Sequence, residues 1–399
     1  MNILFLTKGA LPFPPVNGGA VETLLYSLVK ENEEKQVFDF TVISTALPEE
    51  SVPEEFSHTT VVYASKENSL MKDAAVFSKY AAAKIIGKFM KRSIFTDCFP
   101  HILEKALEVL ETENYDLVID LNCVERVRKL KEAANGKTAI YLHNDYINKE
   151  LWQAEHLLKT VDGIFTVSDF LSRKILEVKK DSQVHKVSNG IEKRTTVNLT
   201  KEQKTAARKR WAVEADELVL LFCGRLHETK GPHRILEAVD KLQTERKIHV
   251  FLVGGISHGS ANKNNYTTYL KELAEKSQVT VHFTGHLSQE KVGELLSIAD
   301  LSLSPSSFNE TCCLSMVEAQ QAGVPAIVTA IGGIPEYFIE GGGYLLDEEN
   351  ITDELTRTLQ YCLDSDVQTN MKNQLTKYDN IHSIQRMYKE FEQAVQAVV

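Results

Sequence analysis

Short apolar runs alternate with longer segments of helical period almost from one end of the chain to the other. Several runs, such as 218–222, are apolar at every position. Because continuous apolar strands are covered on both faces, this pattern is typical of parallel sheets in α/β proteins. It predicts strands at 3–7, 38–44, 60–64, 116–120, 138–143, 163–167 and 184–187, and then at 218–223, 249–253, 279–284, 301–304, 326–329 and 343–346. It predicts helices at 20–31, 73–92, 100–113, 149–160 and 233–242.

A polar stretch at 189–204 lacks apolar periodicity and separates the two series of strands. The chain has 399 residues, which is too long for one ordinary core, so we expect two domains. They are predicted at 1–190 and 191–380 as doubly wound domains that face each other across a cleft, with ligands at the carboxyl ends of the strands. The final segment, 381–399, is predicted as a helix that returns to the first domain.

Composition narrows the class of protein. Hydrophobic residues make up 43% of the chain and charged residues 25%, as in soluble globular proteins. The net charge of −10 argues against a nucleic-acid-binding protein, because no basic excess is present to neutralise phosphates. The apolar run at 3–6 is too short for a signal peptide, and no stretch approaches the length of a membrane span. The six cysteines show no Cys-x-x-Cys spacing, so we expect reduced thiols and a cytoplasmic protein.

Two glutamates bracket a predicted strand–loop–helix junction in the second half of the chain. Glu310 lies in the loop, and a helix predicted to begin at Thr311 or Cys312 carries Glu318. Backbone amides at a helix start lack intrahelical partners and bind anions, and about 9 Å of helix would separate Cys312 from Glu318. This layout fits a nucleotide sugar, with Glu318 on the ribose, the amides on the diphosphate and Glu310 on the hexose. The alternative is a capping acid followed by a solvated glutamate.

The loop after the strand 218–223 carries two cations. Gly224 permits close backbone approach, and Arg225 and Lys230 lie between the strand and the next helix. At the carboxyl edge of a sheet, such side chains can neutralise a diphosphate. Solvated surface cations are the alternative interpretation.

With these motifs in this order, the sequence resembles glycosyltransferase family 4, the retaining nucleotide-sugar enzymes with the GT-B fold of two Rossmann-like domains. The resemblance covers essentially the whole chain and is strongest over 218–336. It also includes Gly18-Gly19 after the first strand. Further matching motifs occur at 167–168, 187–190, 322–325 and 332–336.

The resemblance implies a role for each matching residue. Arg225 and Lys230 would contact the diphosphate, Glu318 the ribose, and Glu310 the donor sugar. His143, at the end of the strand 138–143, matches the family's active-site histidine near the hexose. The implied donor-binding residues are Gly18, Gly19, Gly224, Arg225, Lys230, Glu310, Thr311, Cys312, Cys313, Leu314 and Glu318. The implied catalytic residues are His143, Arg225, Lys230 and Glu310.

One departure from the family concerns the residues after Glu310. Many members have a Gly-containing tripeptide there, whereas this chain has Thr311-Cys312-Cys313. We therefore expect the two cysteines to alter the sugar pocket, so the resemblance leaves the hexose open.

The expected activity is transfer of a hexose, with retention, from a nucleoside diphosphate sugar, expected to be UDP-linked. The acceptor would be a hydroxyl group of a sugar, a lipid-linked molecule or a protein, in bacterial cell-surface polysaccharide or glycoconjugate synthesis. A front-face reaction in which the diphosphate helps to deprotonate the acceptor needs no metal and no cofactor. The alternatives are a non-hydrolysing nucleotide-sugar epimerase of the same fold and a catalytically inactive scaffold subunit.

Two further motifs bear on metal and cofactor chemistry. Asp364-Ser365-Asp366 has the form of a metal-binding D-x-D motif, but it follows a predicted helix instead of a buried strand, so we expect an exposed acidic turn. The Gly-x-Gly-x-x-Gly motif is absent after the first strand, which argues against a dinucleotide-dependent dehydrogenase.

The segment 74–96 contains five basic residues and no acidic one. A helical wheel groups Lys84, Lys88, Lys91 and Arg92 on one side, apart from Lys79, and groups Ile85, Ile86, Phe89, Met90 and Ile94 on the other. We expect the apolar side to pack on the domain. The basic side is then either a solvated face or, through 79–92, an electrostatic contact with the anionic inner face of the cell membrane.

Overall fold

The computed structural model describes residues 1–16, 18–52, 54–65, 70–90, 99–192, 200–255, 263–378 and 381–399. The chain divides into two compact units. Unit 1 comprises Met1–Glu192 and His382–Val399, and unit 2 comprises Lys193–Ile381. The polar linker predicted at 189–204 therefore spans the division, although its centre, 193–199, lies outside the described residues.

Unit 1 is built around a seven-stranded sheet. Its strands are β1 (Asn2–Leu6), β2 (Asp39–Thr45), β3 (Thr59–Ala64), β4 (Leu117–Leu121), β5 (Lys137–Leu142), β6 (Gly163–Thr166) and β7 (Val184–Lys186). They pair in parallel in the order β3-β2-β1-β4-β5-β6-β7. The strand order reverses between β1 and β4, and such switch points are where open α/β sheets bind ligands. The helices between these strands are α1 (Ala20–Lys35), α2 (Leu70–Met90), α3 (Pro100–Thr112), α4 (Val127–Ala133), α5 (Ala154–Leu158) and α6 (Asp169–Val178).

Unit 2 repeats this design with a six-stranded sheet. Its strands are β8 (Leu218–Cys223), β9 (Ile248–Val253), β10 (Thr280–Gly285), β11 (Leu301–Ser304), β12 (Ala326–Thr329) and β13 (Gly343–Leu346). They pair in parallel in the order β10-β9-β8-β11-β12-β13, which places the switch point between β8 and β11. The helices are α7 (Lys201–Arg210), α8 (Pro232–Val239), α9 (Lys263–Lys276), α10 (Gln289–Ile298), α11 (Leu314–Gln321), α12 (Ile334–Tyr337), α13 (Ile351–Cys362) and α14 (Ser365–Leu375).

The apolar run in β8 shows why these strands form the centre of a sheet. Leu218, Leu220 and Phe222 join one hydrophobic cluster, whereas Val219 and Leu221 join another. Side chains alternate between the two faces of a strand, so β8 needs apolar residues at every position. The predicted α/β fold class is confirmed. Each strand of the structure begins and ends within one residue of the predicted bounds.

The last helix, α15 (Ile384–Val398), belongs to unit 1, as predicted. The ring of Phe391 stacks on Phe5 of β1 at 5.9 Å between ring centroids. The hydroxyl group of Tyr388 donates a hydrogen bond to Asn32 of α1 at 2.7 Å. The helix is therefore anchored in the core of unit 1 by aromatic packing and by buried hydrogen bonding.

The helix predicted at 149–160 is wrong over its first half. The α-helix begins only at Ala154, because Gln153 adopts the left-handed conformation with a φ of 58°. A residue with positive φ cannot continue a right-handed helix. Helical periodicity does not reveal this local reversal.

Candidate functional site

The first candidate residues of unit 2 follow β8. The amide of Gly224 donates to the carbonyl oxygen of Val253 at 2.9 Å, which continues the β8–β9 ladder beyond the strand ends. A Cβ atom at Gly224 would make only an ordinary contact with the Phe222 ring at 3.4 Å. A Cβ atom at Gly254, where φ is 132°, would instead collide with the carbonyl oxygen of Gly224. The close backbone approach at this edge therefore requires Gly254, and the exposed Arg225 extends from it.

The loop after β8 packs on the loop after β11. The amide of Ser307 donates to the carbonyl oxygen of Thr229 at 2.8 Å. Gly231 has a φ of 74°, and a Cβ atom there would collide with the carbonyl oxygen of Pro305. Lys230, between Thr229 and Gly231, is therefore held on a backbone that is fixed against the neighbouring loop.

Lys230 and Glu310 form an ion pair in this region. The Nζ atom of Lys230 lies 2.7 Å from Oε2 of Glu310 and 4.9 Å from the centre of the Phe308 ring. The hydroxyl group of Ser306 is hydrogen-bonded to Oε1 of the same carboxylate. Glu310 is buried, whereas the Lys230 side chain keeps 20% of its surface exposed. The cation that the sequence predicts for a diphosphate thus lies beside the carboxylate that it predicts for a hexose.

Two glycines of the 332–336 motif pack closely against the backbone of Glu310. The amide of Gly333 donates to the carbonyl oxygen of Glu310 at 2.6 Å. Gly332 has a φ of 64°, and a Cβ atom there would collide with the backbone of Glu310. The loop that carries Glu310 is therefore fixed by close backbone packing that only glycine allows.

The helix after Glu310 begins later than predicted. The prediction that it begins at Thr311 or Cys312 is wrong, because Cys313 is the N-cap residue and α11 begins at Leu314. About 6 Å of helix, instead of 9 Å, then separates the first helical residue from the half-buried Glu318. Thr311 and Cys312 extend toward the helix start in non-helical conformation.

The cysteine pair has a neutral member at the N-cap of α11. Burial raises the pKa of the Cys313 thiol, and the nearby charge of Glu310 raises this pKa further. Cys313 is 3% exposed, whereas Cys312 is half-buried. Cys313 therefore adds no negative charge at a helix N-terminus whose amides favour anions.

The glycine pair of unit 1 forms the loop between β1 and α1. Gly18 has a φ of 72°, and Gly19, the N-cap of α1, has a φ of 109°. A Cβ atom at Gly19 would collide with the side chains of Glu22 and Leu11, whereas the space around Gly18 is open to 4 Å. Both glycines thus lie after β1, one of the two strands at the switch point of this sheet.

His143 follows β5 in the same unit and is buried. Its amide donates to Oδ1 of Asn122 at 2.7 Å, and its ring lies 4.3 Å from the ring of Tyr141. Burial lowers the pKa of His143 to about 3, so the imidazole is neutral at neutral pH. A group with so low a pKa is a weak base, which favours a positioning role.

Comparison with known proteins agrees with this geometry. Residues 203–380, within unit 2, match the family model of group 1 glycosyl transferases. The chain is 25% identical to YtcC of Bacillus subtilis (strain 168), named as a candidate glycosyltransferase, over 96% of this chain and 87% of that protein. It is 23% identical to the lipopolysaccharide 1,2-N-acetylglucosaminetransferase of Salmonella typhimurium (strain LT2), over 91% of this chain and 89% of that protein. The crystal structure of Anabaena Alr3699/HepE in complex with UDP superposes with a TM-score of 0.71 at 16% identity, covering 100% of both chains. These matches support a glycosyltransferase of GT-B fold.

The sequence analysis did not predict a buried polar cluster at the switch point of unit 1. Asp120 and Arg126 form an ion pair with 3.2 Å between Oδ2 and Nε, and both side chains are fully buried. Nη2 of Arg126 donates to the carbonyl oxygen of Thr7 at 3.0 Å. Asn122, beside them, has a φ of 64° and accepts the His143 amide. The available signal was the sequence Asp120-Leu-Asn122 at the end of β4, where polar residues interrupt an apolar strand.

Asp364 has a structural role. Its carboxylate accepts hydrogen bonds from the amides of Asp366 and Val367, at 2.7 Å and 3.3 Å, so Asp364 caps α14. Across the described parts of the chain, no group of three or more His, Cys, Asp or Glu residues could hold a metal ion. The D-x-D motif at 364–366 is accounted for by helix capping.

Proposed function

We propose that the protein is a retaining glycosyltransferase of family 4 that transfers a hexose from a UDP-linked sugar to an acceptor hydroxyl group. The observation that carries this proposal is the 2.7 Å ion pair between Lys230 and Glu310, on the loops that follow β8 and β11. These two strands flank the switch point of the unit 2 sheet, where open α/β sheets bind nucleotides. The UDP complex of Anabaena Alr3699/HepE supports the class of donor.

The proposed donor contacts divide along the ligand. Lys230 and Arg225 neutralise the diphosphate, together with the amides at the start of α11. Glu318, one turn into that helix, accepts hydrogen bonds from the ribose hydroxyl groups. Glu310 accepts hydrogen bonds from hexose hydroxyl groups, because a carboxylate has lone pairs beyond those that Lys230 and Ser306 use.

The proposed reaction proceeds on one face of the sugar. The bond between hexose C1 and the diphosphate oxygen breaks, and C1 forms a bond to the acceptor oxygen from the same side. The acceptor proton moves to the departing nucleoside diphosphate. The protein's main contribution is fixed positive charge where negative charge grows on the diphosphate. His143, neutral at working pH, positions the reacting groups instead of removing the proton.

The acceptor and the pathway are proposed from similarity. The chain resembles a lipopolysaccharide N-acetylglucosaminetransferase over 91% of its length, which supports a role in cell-surface glycan synthesis. We place the protein in the cytoplasm, with a sugar, a lipid-linked molecule or a protein as the acceptor. The reaction needs no cofactor besides the donor.

A ligand screen followed by a product assay tests the proposal. A nucleotide sugar at 100 times its dissociation constant should stabilise the protein by about 2.7 kcal/mol in thermal unfolding. The stabilising donor is then incubated with and without acceptors, and the anomeric configuration of the product is read by NMR. A glycoside product with the same anomeric configuration as the donor supports the proposal. Epimerised nucleotide sugar without acceptor would identify an epimerase, and no stabilisation by any nucleotide sugar would identify a scaffold.

The two glutamates should have separable effects on binding. Glu318→Ala is expected to weaken binding of free UDP about tenfold, because the ribose hydrogen bonds exist without the sugar. Glu310→Gln is expected to leave UDP affinity within about twofold but to impair transfer. Isothermal calorimetry with UDP and steady-state kinetics measure the two effects. If UDP affinity falls in Glu310→Gln and not in Glu318→Ala, the two roles are reversed.

The proposed reaction should proceed without a divalent metal. Two cationic side chains and a helix N-terminus supply the positive charge that a metal provides in other transferases. We expect unchanged kcat after treatment with EDTA and after addition of magnesium or manganese. Activity that EDTA abolishes and a metal restores would contradict this expectation.

A further inference from the structure

Helix α2 exposes apolar side chains that the sequence predicts to be packed. Ile85 is 68% exposed, Ile86 is 50% exposed and Met90 is 45% exposed. The expectation that these residues pack on the domain is therefore wrong. Among the α2 residues whose burial is described, Ala83 and Gly87 are buried, because the small methyl group of Ala83 and the lack of a side chain at Gly87 let the helix backbone approach the unit. The predicted contributions of 91–96, and of the Phe89 side chain, lie outside the described residues.

Lysines flank Ile85 and Ile86 on both sides, whereas Met90 falls beyond Lys79, nearer the buried side of the helix. At about 100° per residue, Ile85 points directly away from the midpoint of Ala83 and Gly87. Lys84 and Lys88, both exposed, fall on one flank of Ile85, and the exposed Lys79 falls beside Ile86 on the other. No acidic residue occurs from 74 to 96.

This arrangement differs from a solvated basic face. Scattered exposed hydrophobic residues are ordinary, but here three large ones lie within two turns of one helix. Helices that lie on membranes combine an apolar strip with flanking lysines, whose alkyl chains rest along the strip while the ammonium groups reach the headgroups. The positive charge is local, because the chain as a whole carries −10.

We propose that α2 docks on an anionic lipid bilayer, with Ile85 and Ile86 at the acyl boundary, Met90 at the edge of this contact, and Lys79, Lys84 and Lys88 at the headgroups. Charge complementarity selects anionic lipid as the occupant of this surface. Among the described residues, no helix is long and apolar enough to span a membrane. The proposed contact lies at the bilayer surface. This proposal stands apart from the transferase function, but together the two favour a lipid-linked acceptor.

Vesicle co-sedimentation tests the docking. The full chain should bind phosphatidylglycerol vesicles and bind phosphatidylcholine vesicles far more weakly. Because apolar insertion is not screened by ions, part of the binding should persist in about 0.5 M salt, where the screening length is only a few Å. Each lysine near an anionic surface should strengthen binding about fivefold. The affinity of Lys79→Gln/Lys84→Gln/Lys88→Gln for phosphatidylglycerol vesicles should therefore fall about 100-fold.

The apolar contribution is tested by Ile85→Asn/Ile86→Asn/Met90→Asn, which should weaken binding at least tenfold and remove the salt-resistant part. Val52→Asn is the matched apolar control, since Val52 is 88% exposed. The control for the loss of three positive charges is Lys201→Gln/Lys204→Gln/Lys209→Gln, which changes three exposed lysines of α7 in unit 2. Both control variants should bind as the wild type does. Circular dichroism and thermal unfolding of each variant confirm its folding.

Insertion depth gives an independent measurement. The emission of Ile85→Trp should shift to shorter wavelength on phosphatidylglycerol vesicles and be quenched by brominated lipid, whereas that of Val52→Trp should not change. Absence of wild-type binding at low salt would overturn the proposal. Wild-type binding by the asparagine variant would overturn apolar insertion, and a dimer that this variant dissociates would identify a second copy as the occupant.

Calorimetry with UDP separates this proposal from the transferase function. The α2 variants should bind UDP with wild-type affinity, because the donor contacts are proposed on other elements. Failure to bind vesicles with intact UDP binding would therefore count against docking alone. Failure of every variant and the wild type to bind nucleotides would count against the transferase alone.

Discussion

Lys230→Met is expected to lower kcat about 10²- to 10³-fold, because it removes a fixed positive charge from the proposed diphosphate site. Lys230→Arg should recover part of this loss, since the charge remains while the geometry of the pair with Glu310 changes. Arg225→Met should lower kcat by a smaller factor, because Arg225 is exposed and solvent weakens its electrostatic effect. Steady-state kinetics at saturating donor measure the change.

The control for Lys230 is Lys241→Met, also in unit 2. Lys241 pairs with Asp353 at 3.0 Å, but both side chains are largely exposed. This variant should keep wild-type kcat and stability. If Lys230→Met raises KM and leaves kcat unchanged, Lys230 binds the ground state and the transition state equally, and its catalytic role is wrong.

Arg126→Met is expected to lower the free energy of unfolding of unit 1 by about 3–5 kcal/mol. The change leaves the carboxylate of Asp120 fully buried without its guanidinium partner. The carbonyl oxygen of Thr7 also loses a hydrogen bond that ties the ends of β1 and β4 together. Asp120→Asn/Arg126→Met should be more stable than Arg126→Met, because no uncompensated charge remains.

Arg128→Met is the matched control, two residues along the same chain segment. Arg128 pairs with Glu132 at 3.1 Å, but the two side chains are 73% and 63% exposed. Arg128→Met should lower the free energy of unfolding by less than about 1 kcal/mol. Urea denaturation followed by Trp152 emission in a Trp211→Phe background reports unit 1, because Trp152 and Trp211 belong to different units. Equal losses for Arg126→Met and Arg128→Met would mean that burial does not set the strength of the pair.

The strands were predictable because their determinants are local. The run 218–223 is apolar throughout and is bounded by Glu217 and Gly224, so its ends are visible in the sequence. The helix at 149–160 was predicted poorly, since its beginning depends on the left-handed backbone of Gln153. That conformation has no signature in residue type, because glutamine normally populates right-handed regions.

The candidate site was likewise predicted only in part from the sequence. The sequence alone places Lys230 and Glu310 after two separate strands, but only the packing of the loops brings their side chains to 2.7 Å. The start of α11 was misplaced because Cys313 caps the helix without a typical capping side chain. The glycines that fix these loops, Gly254 and Gly332, are required by backbone atoms distant in sequence.

The sequence by itself determined the order of strands and helices, the two series of them, and the strand ends at which the candidate residues lie, because periodicity and turn residues act over a few positions. The tertiary structure alone decided which polar groups meet and which surfaces remain exposed. The buried pair of Asp120 and Arg126 and the exposed side chains of Ile85 and Ile86 both contradict what residue type suggests. Burial depends on what the rest of the chain places around a side chain, and that information is distributed over the whole fold.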